Sequence, residues 1–256
     1  MEFSRVTEYI QKNPVLHDIS FRINSGERWA IVGPNGSGKT TLLRIINGYL
    51  RPSEGTVTVL GGVFGETSLP EIRKRSGFVS SYLDNLLVSD DNVLDVVVSG
   101  VSGATRLWGV PPESDVKRAK KILKELGCLR FEDRSLSELS QGERQKVLIG
   151  RSLMADPSLL TFDEPCASLD LGSRESFLKG IETIARDRED LAMIYVTHRI
   201  DEIPDCFTKA LLMKKGRSIA RGDLQKVITG KNLSTCFETR VEVKRWRGRL
   251  YPVVIS

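Results

Sequence analysis

The chain has 256 residues, 40% of them hydrophobic and 28% charged, the balance of a globular domain with room for an inserted lobe. No apolar run approaches the roughly 20 residues of a membrane-spanning helix, and the polar start "MEFSRVTEY" lacks the apolar core of a secretion signal, so contact with a membrane is expected to run through a partner. The net charge of +5 is too mild to argue for nucleic acid or anionic lipid, and four cysteines 30 to 40 residues apart beside two histidines point to reduced thiols rather than structural zinc.

In chain order, "PVLHDISFRI" (14–23) alternates like a strand, and "NSGE" follows as a turn. "RWAIV" (28–32) is a nearly continuous apolar run, as in a buried parallel strand. A glycine-rich loop leads to "TTLLRIINGYL" (40–50), with helical spacing and Gly48 near its end. "SDDNVLDVVVSG" (89–100) starts like a capped helix. "VPPESDVKRAKKILKELG" (110–127) has Val116, Ala119, Ile122, Leu123 and Leu126 on one face and closes at Gly127. Residues from about 83 to 145 therefore read as a mostly helical subdomain. "LLTF" (159–162) and "AMIYVT" (192–197) are further buried strands separated by helix. The tail, about 238–256, reads as a β-hairpin turning near Gly248, with basic residues around Trp246 and Tyr251. The pattern predicts a single α/β domain over 1–256 with a helical insertion.

The loop "GPNGSGKTT" comprises Gly33, Pro34, Asn35, Gly36, Ser37, Gly38, Lys39, Thr40 and Thr41. It fits G-x-x-x-x-G-K-[ST] and lies between a predicted strand and a predicted helix, the context of a phosphate-binding P-loop. Glycines let backbone N–H groups turn inward, and the helix N-terminus adds unpaired donors and a positive dipole end. Lys39 would neutralise β- and γ-phosphates, and the Thr40 hydroxyl would ligate Mg²⁺. "LLTFDEP" then delivers two carboxylates at a strand's C-terminal edge, where ligands bind in open α/β sheets. Asp163 would hold the metal, and Glu164 would orient or deprotonate the attacking water.

With "GPNGSGKTT", "LSQGE", "LLTFDEP", "ASLD" and "YVTH" in this order, the chain resembles the nucleotide-binding domain of ABC-type ATPases over about residues 2–230. On "DEPCASLDL" and "FVSS" it is most similar to single-domain members of molybdate-transport-like or photorepair-like type. The resemblance implies a P-loop NTPase fold with an N-terminal antiparallel β element and an inserted helical subdomain. It also implies Mg²⁺-dependent ATP hydrolysis in a head-to-tail homodimer induced by ATP. The cluster Ser140, Gln141, Gly142 and Glu143 would then cover the ATP held by the partner's P-loop, although Ser140 and Glu143 also fit a plain capping box. Asp170 would help set the interface, and His198 would contact the γ-phosphate. Ser81 stands where the family usually has a metal-touching glutamine and would act through a bridging water. Tyr9 is the candidate aromatic platform for adenine. The implied role is the energising subunit of a transporter, at the inner face of the cell membrane, with separate transmembrane permease subunits. The alternative is a soluble ABC ATPase acting on nucleic acid or a protein complex.

Overall fold

In the computed structural model, which describes residues 1–80, 84, 87 and 90–255, the chain opens with an antiparallel hairpin. Its strands are β1 (Glu2–Ile10) and β2 (Asn13–Arg22). Gln11 and Lys12 close it with φ of 49° and 67°, the left-handed pair that a two-residue hairpin turn demands. There follow β3 (Arg28–Val32), α1 (Lys39–Ile46), β4 (Glu54–Val59), β5 (Gly62–Val63), α2 (Leu69–Lys74) and β6 (Ser76–Ser80). Next come α3 (Val93–Val98), α4 (Glu113–Glu125), α5 (Gln141–Met154), β7 (Leu159–Asp163), α6 (Leu171–Asp187) and β8 (Ala192–Thr197). The chain continues through β9 (Lys209–Lys214), β10 (Arg217–Asp223), α7 (Leu224–Val227) and α8 (Gly230–Phe237) to β11 (Val241–Trp246) and β12 (Arg249–Val254).

Among the described residues the central sheet runs β10-β9-β3-β8-β7-β6, parallel except for the edge pair β10–β9. Its strands are apolar on both faces, because both faces are covered. Ala30 and Val32 of β3 join Phe162 and Tyr195 in one core, against α5 and α6. Trp29 and Ile31 face the other way, with Ile194 and Leu211, against α1 and the antiparallel sheet β2-β1-β4-β5. This is the α/β P-loop architecture, with its antiparallel β element, that the motifs imply. Helices α3, α4 and α5 pack on one another. Their bounds are tighter than the spacing predicts. Helix α4 starts at Glu113, with Pro112 as its N-cap at ψ 143° and Glu113 and Asp115 in its first turn, and residues 102–112 before it carry no helix or strand.

Candidate active site

The loop from Gly33 to Gly38 joins β3 to α1 and is held from behind. The Gly216 N–H donates to the Ser37 carbonyl at 3.1 Å, and the His17 N–H donates to the Gly216 carbonyl at 2.8 Å. A β-carbon on Gly33 would lie 2.2 Å from the Met213 carbonyl, so only glycine lets the loop sit this close to β9. Gly38 caps α1 at φ 94°, with no side-chain cap and no acidic residue in the first turn. The helix thus presents its first N–H groups and positive dipole end to the loop without an internal counter-charge. Lys39 is only 4% exposed. Its ammonium donates to the carbonyls of Gly33 (2.9 Å) and Pro34 (3.1 Å), which places the cation at the loop mouth.

The acidic side comes from β7, which lies between β6 and β8. Glu164 follows the strand at φ 48°, a conformation rare outside glycine and asparagine. Its N–H donates to the Val196 carbonyl at 2.9 Å. Its carboxylate divides between two partners: Oε2 is 3.0 Å from Nδ1 of His198, and Oε1 is 3.4 Å from Nζ of Lys39. Burial pushes the Asp163 carboxyl up to about 6, opposed by a hydrogen bond with Thr40 and reinforced by the Glu164 charge. Asp163 Oδ1 is buried and without a hydrogen-bond partner. A partnerless carboxylate oxygen beside a hydroxyl is the hard oxygen set that Mg²⁺ takes, so the residues present fit that ion. Cys166, just beyond, is a packing residue. Its thiol is pushed up to about 12 by burial and accepts a hydrogen bond from the Tyr195 hydroxyl.

Part of this set lines a cavity of about 560 Å³, within the range of small-molecule sites, while His198 stands behind Glu164 and outside the lining. Asn35, Gly36, Gly38, Lys39, Thr40 and Thr41 contribute from the loop side, and Asp163 and Glu164 from the sheet. Gln141 and Gln145 of α5 lie on its border too. Gln145 is buried, with Oε1 unpartnered. Sequence reasoning passed over it, although its place one turn after Gln141 puts both on one helix face. The rest of the cluster is occupied locally. Ser140 and Glu143 make a complete capping box: the Glu143 N–H donates to Ser140 Oγ at 3.4 Å, and the Ser140 N–H donates to Glu143 Oε2 at 3.0 Å. Gly142 packs on Ser173, where a β-carbon would lie 3.2 Å away. Asp170 caps α6 by accepting from the Ser173 N–H at 2.8 Å, and that bond holds its carboxyl below the usual range.

Tyr9 does not line the cavity. Strand β1 lies between β2 and β4, and the Tyr9 hydroxyl leans toward β4, donating to Glu54 at 3.4 Å. Val15, on the β2 side, borders the cavity instead. Ser81 lies outside the described residues.

A family model described as "ABC transporter" matches residues 16–167, from β2 through the P-loop and the α5 cluster to Ala167 beyond Glu164. The chain belongs to the ABC transporter family. Among relatives of this ABC chain is the uncharacterised ABC transporter ATP-binding protein YlmA of Bacillus subtilis, 38% identical over 230 residues, which cover 90% of the chain and 87% of YlmA. Among solved structures, cbiO1 of Clostridium perfringens, described as part of the ABC transporter complex cbiONQ, superposes with a TM-score of 0.76 at 28% identity, covering 91% of this chain and 92% of that one. A bacterial ABC transporter cassette solved as a dimer gives 0.75 at 26% identity, over 87% of this chain and 98% of that one.

Proposed function

We propose that this ATP-hydrolysing ABC cassette energises a membrane transporter whose spanning subunits are separate chains. It would work as an ATP-induced head-to-tail homodimer at the inner face of the cell membrane. No helix among the described residues is long and apolar enough to cross a membrane, which fits a subunit that reaches the bilayer through partners. The names of cbiO1 and YlmA support the transport reading, and the dimeric cassette supports the assembly.

The observation that carries the hydrolytic reading is the placement of Glu164 between His198 and Lys39 at the P-loop cavity. In this reading the loop N–H groups and Lys39 bind the β- and γ-phosphates. Lys39 exchanges its carbonyl partners for phosphate oxygens, and Glu164 orients and deprotonates the attacking water. His198 holds the Glu164 carboxylate in place and faces the γ-phosphate. Asp163 and Thr40 would hold Mg²⁺, which when bound supplies charge neutralisation at the phosphate oxygens. Val15, which borders the cavity, would give the base an apolar contact.

Glu164→Gln tests both levels. It should bind ATP, lose hydrolysis by about a hundredfold or more, and accumulate as the ATP-bound dimer. Purified from detergent-solubilised membranes through an affinity tag, it should carry a polytopic membrane protein in stoichiometric amount. Wild-type turnover would remove Glu164 from the chemistry, and recovery from cytosol alone would remove the transporter.

A further inference from the structure

The segment that carries His198 folds into a turn around a buried carboxylate. Glu202 is 2% exposed. The Thr197 hydroxyl donates to its Oε2 at 3.4 Å, and Arg199 Nε lies 3.2 Å from Oε1. A second arginine reaches the same turn from another element. Arg174, in the first turn of α6 and four residues past Asp170, places Nη1 3.3 Å from Asp201 and 3.8 Å from Glu202. It is the side chain that ties the α6 N-terminus to the His198 turn.

The C-terminal hairpin β11–β12 engages this pair from outside. Arg249 donates through Nη1 to Glu175 Oε1 at 2.7 Å. The same oxygen lies 3.7 Å from Nη2 of Arg174. The hairpin turn descends on Asp205, where a β-carbon on Gly248 would sit 2.5 Å from a carboxylate oxygen. Strand β12 packs against residues 200–202, and Leu250 packs on the main core. Between this segment and the hairpin lies a cavity of about 650 Å³, bordered by Ile200 and Ile203 on one side and by Arg245, Arg249 and Leu250 on the other. Basic residues on a two-stranded edge ordinarily serve as a solvated guard against pairing with other strands. Arg249 departs from that pattern. Lys244, Arg245 and Arg247 are exposed, whereas Arg249 is turned inward onto a carboxylate that itself contacts a nearly buried arginine. Isolated surface pairs contribute little, but partly buried charges that share partners behave as a unit.

We infer that the hairpin is a strap that positions His198, with Arg249 acting through Glu175 and Arg174 on the turn of Asp201 and Glu202. Arg249 is thus a positioning residue for hydrolysis. The inference rests on the reading of Glu164 and His198 as a hydrolytic pair.

The test is Arg249→Gln in the full chain, with steady-state ATPase kinetics and amide hydrogen exchange. The kcat should fall by about three- to tenfold, the range of coupling through packed ionic networks. KM for ATP should stay within about twofold, because the P-loop is untouched. Exchange should quicken at residues 198–203 and not in β3, β7 or β8. Arg249→Lys should recover part of the rate, and Glu175→Gln should reproduce the loss from the other end. Unchanged kcat and exchange in Arg249→Gln would overturn the strap. So would a rate loss accompanied by faster exchange throughout the central sheet, which marks a general stabiliser. A His198→Ala chain with wild-type turnover would instead remove the hydrolytic reading, and exchange at 198–203 would still decide whether the hairpin holds that turn.

Discussion

Glu164 is held in a backbone conformation that an L-residue adopts at a cost of about 1 kcal/mol or more. Its N–H is fixed to Val196 and its carboxylate to His198 and Lys39, so the surrounding structure sets that conformation. A carboxylate aimed this way keeps one direction as substrate arrives, and this is how charge placed in advance lowers a barrier. Gly33 shows the same demand from the opposite side. Its need for glycine is steric rather than torsional, since the obstacle is the Met213 carbonyl 2.2 Å from any β-carbon. Gly33→Ala should therefore push the loop off β9 and lower stability by about 1–3 kcal/mol in urea denaturation, with weaker ATP binding. Gly36→Ala is the control. Nothing lies within 4 Å of a β-carbon there, and only φ of 77° opposes it, so it should lose about 1–2 kcal/mol without moving β9. A Gly33→Ala chain with unchanged stability and ATP binding would mean that contact with β9 does not shape the loop.

The N-terminus of helix α5 holds a cap, and the proposed contact of Ser140 with nucleotide can be separated from it by magnitude. The Ser140 hydroxyl belongs to a capping box whose hydrogen bond holds the Glu143 carboxyl below the usual range. Ser140→Ala should lower stability by about 1 kcal/mol, the usual loss for a cap, and Ser140→Thr should keep most of it. An ATPase loss in Ser140→Ala well beyond that small destabilisation, measured at a temperature where the variant is fully folded, identifies a role toward nucleotide. A rate that merely follows the folded fraction identifies a cap and nothing more. The start of α5 was legible in the sequence because a capping box is local, with donor and acceptor three residues apart. The P-loop and the carboxylates after β7 were legible for the same reason, each being one strand end and its next turn. The surroundings of Tyr9 were not legible in the sequence, because they come from pairing across strands. Its hydroxyl goes to Glu54, 45 residues away, and Val15 faces the cavity because it follows the residue paired with Tyr9. The contact of Arg249 with Glu175 spans 74 residues, and no periodicity in the tail encodes it. Sequence also left Gln145 unnoticed, since a buried glutamine gains meaning only from the cavity beside it.

At the scale of the whole molecule, the α5 cluster bears on how many chains make one site. Gln141 and Gln145 border the P-loop cavity of their own chain. Ser140, Gly142 and Asp170 do not, and they face outward or onto α6. An interface in which each P-loop faces the partner's Ser140 would satisfy two helix N-termini with one triphosphate apiece, and nucleotide binding would then be linked to association. A mixing experiment separates this arrangement from a site complete within one chain. Lys39→Ala should be inactive through its P-loop, and Ser140→Arg through a bulky cation at the helix cap. If sites are shared between chains, a mixed dimer has one doubly broken site and one fully intact site. Half of randomly paired dimers are mixed, so an equimolar mixture should regain about a quarter of the wild-type ATPase rate. If each chain completes its own site, every site in the mixture carries a lesion, and the rate should not exceed the average of the separate variants. Recovery would thus assign Ser140 to the opposite subunit, and its absence would assign α5, through Gln141 and Gln145, to the nucleotide of its own chain.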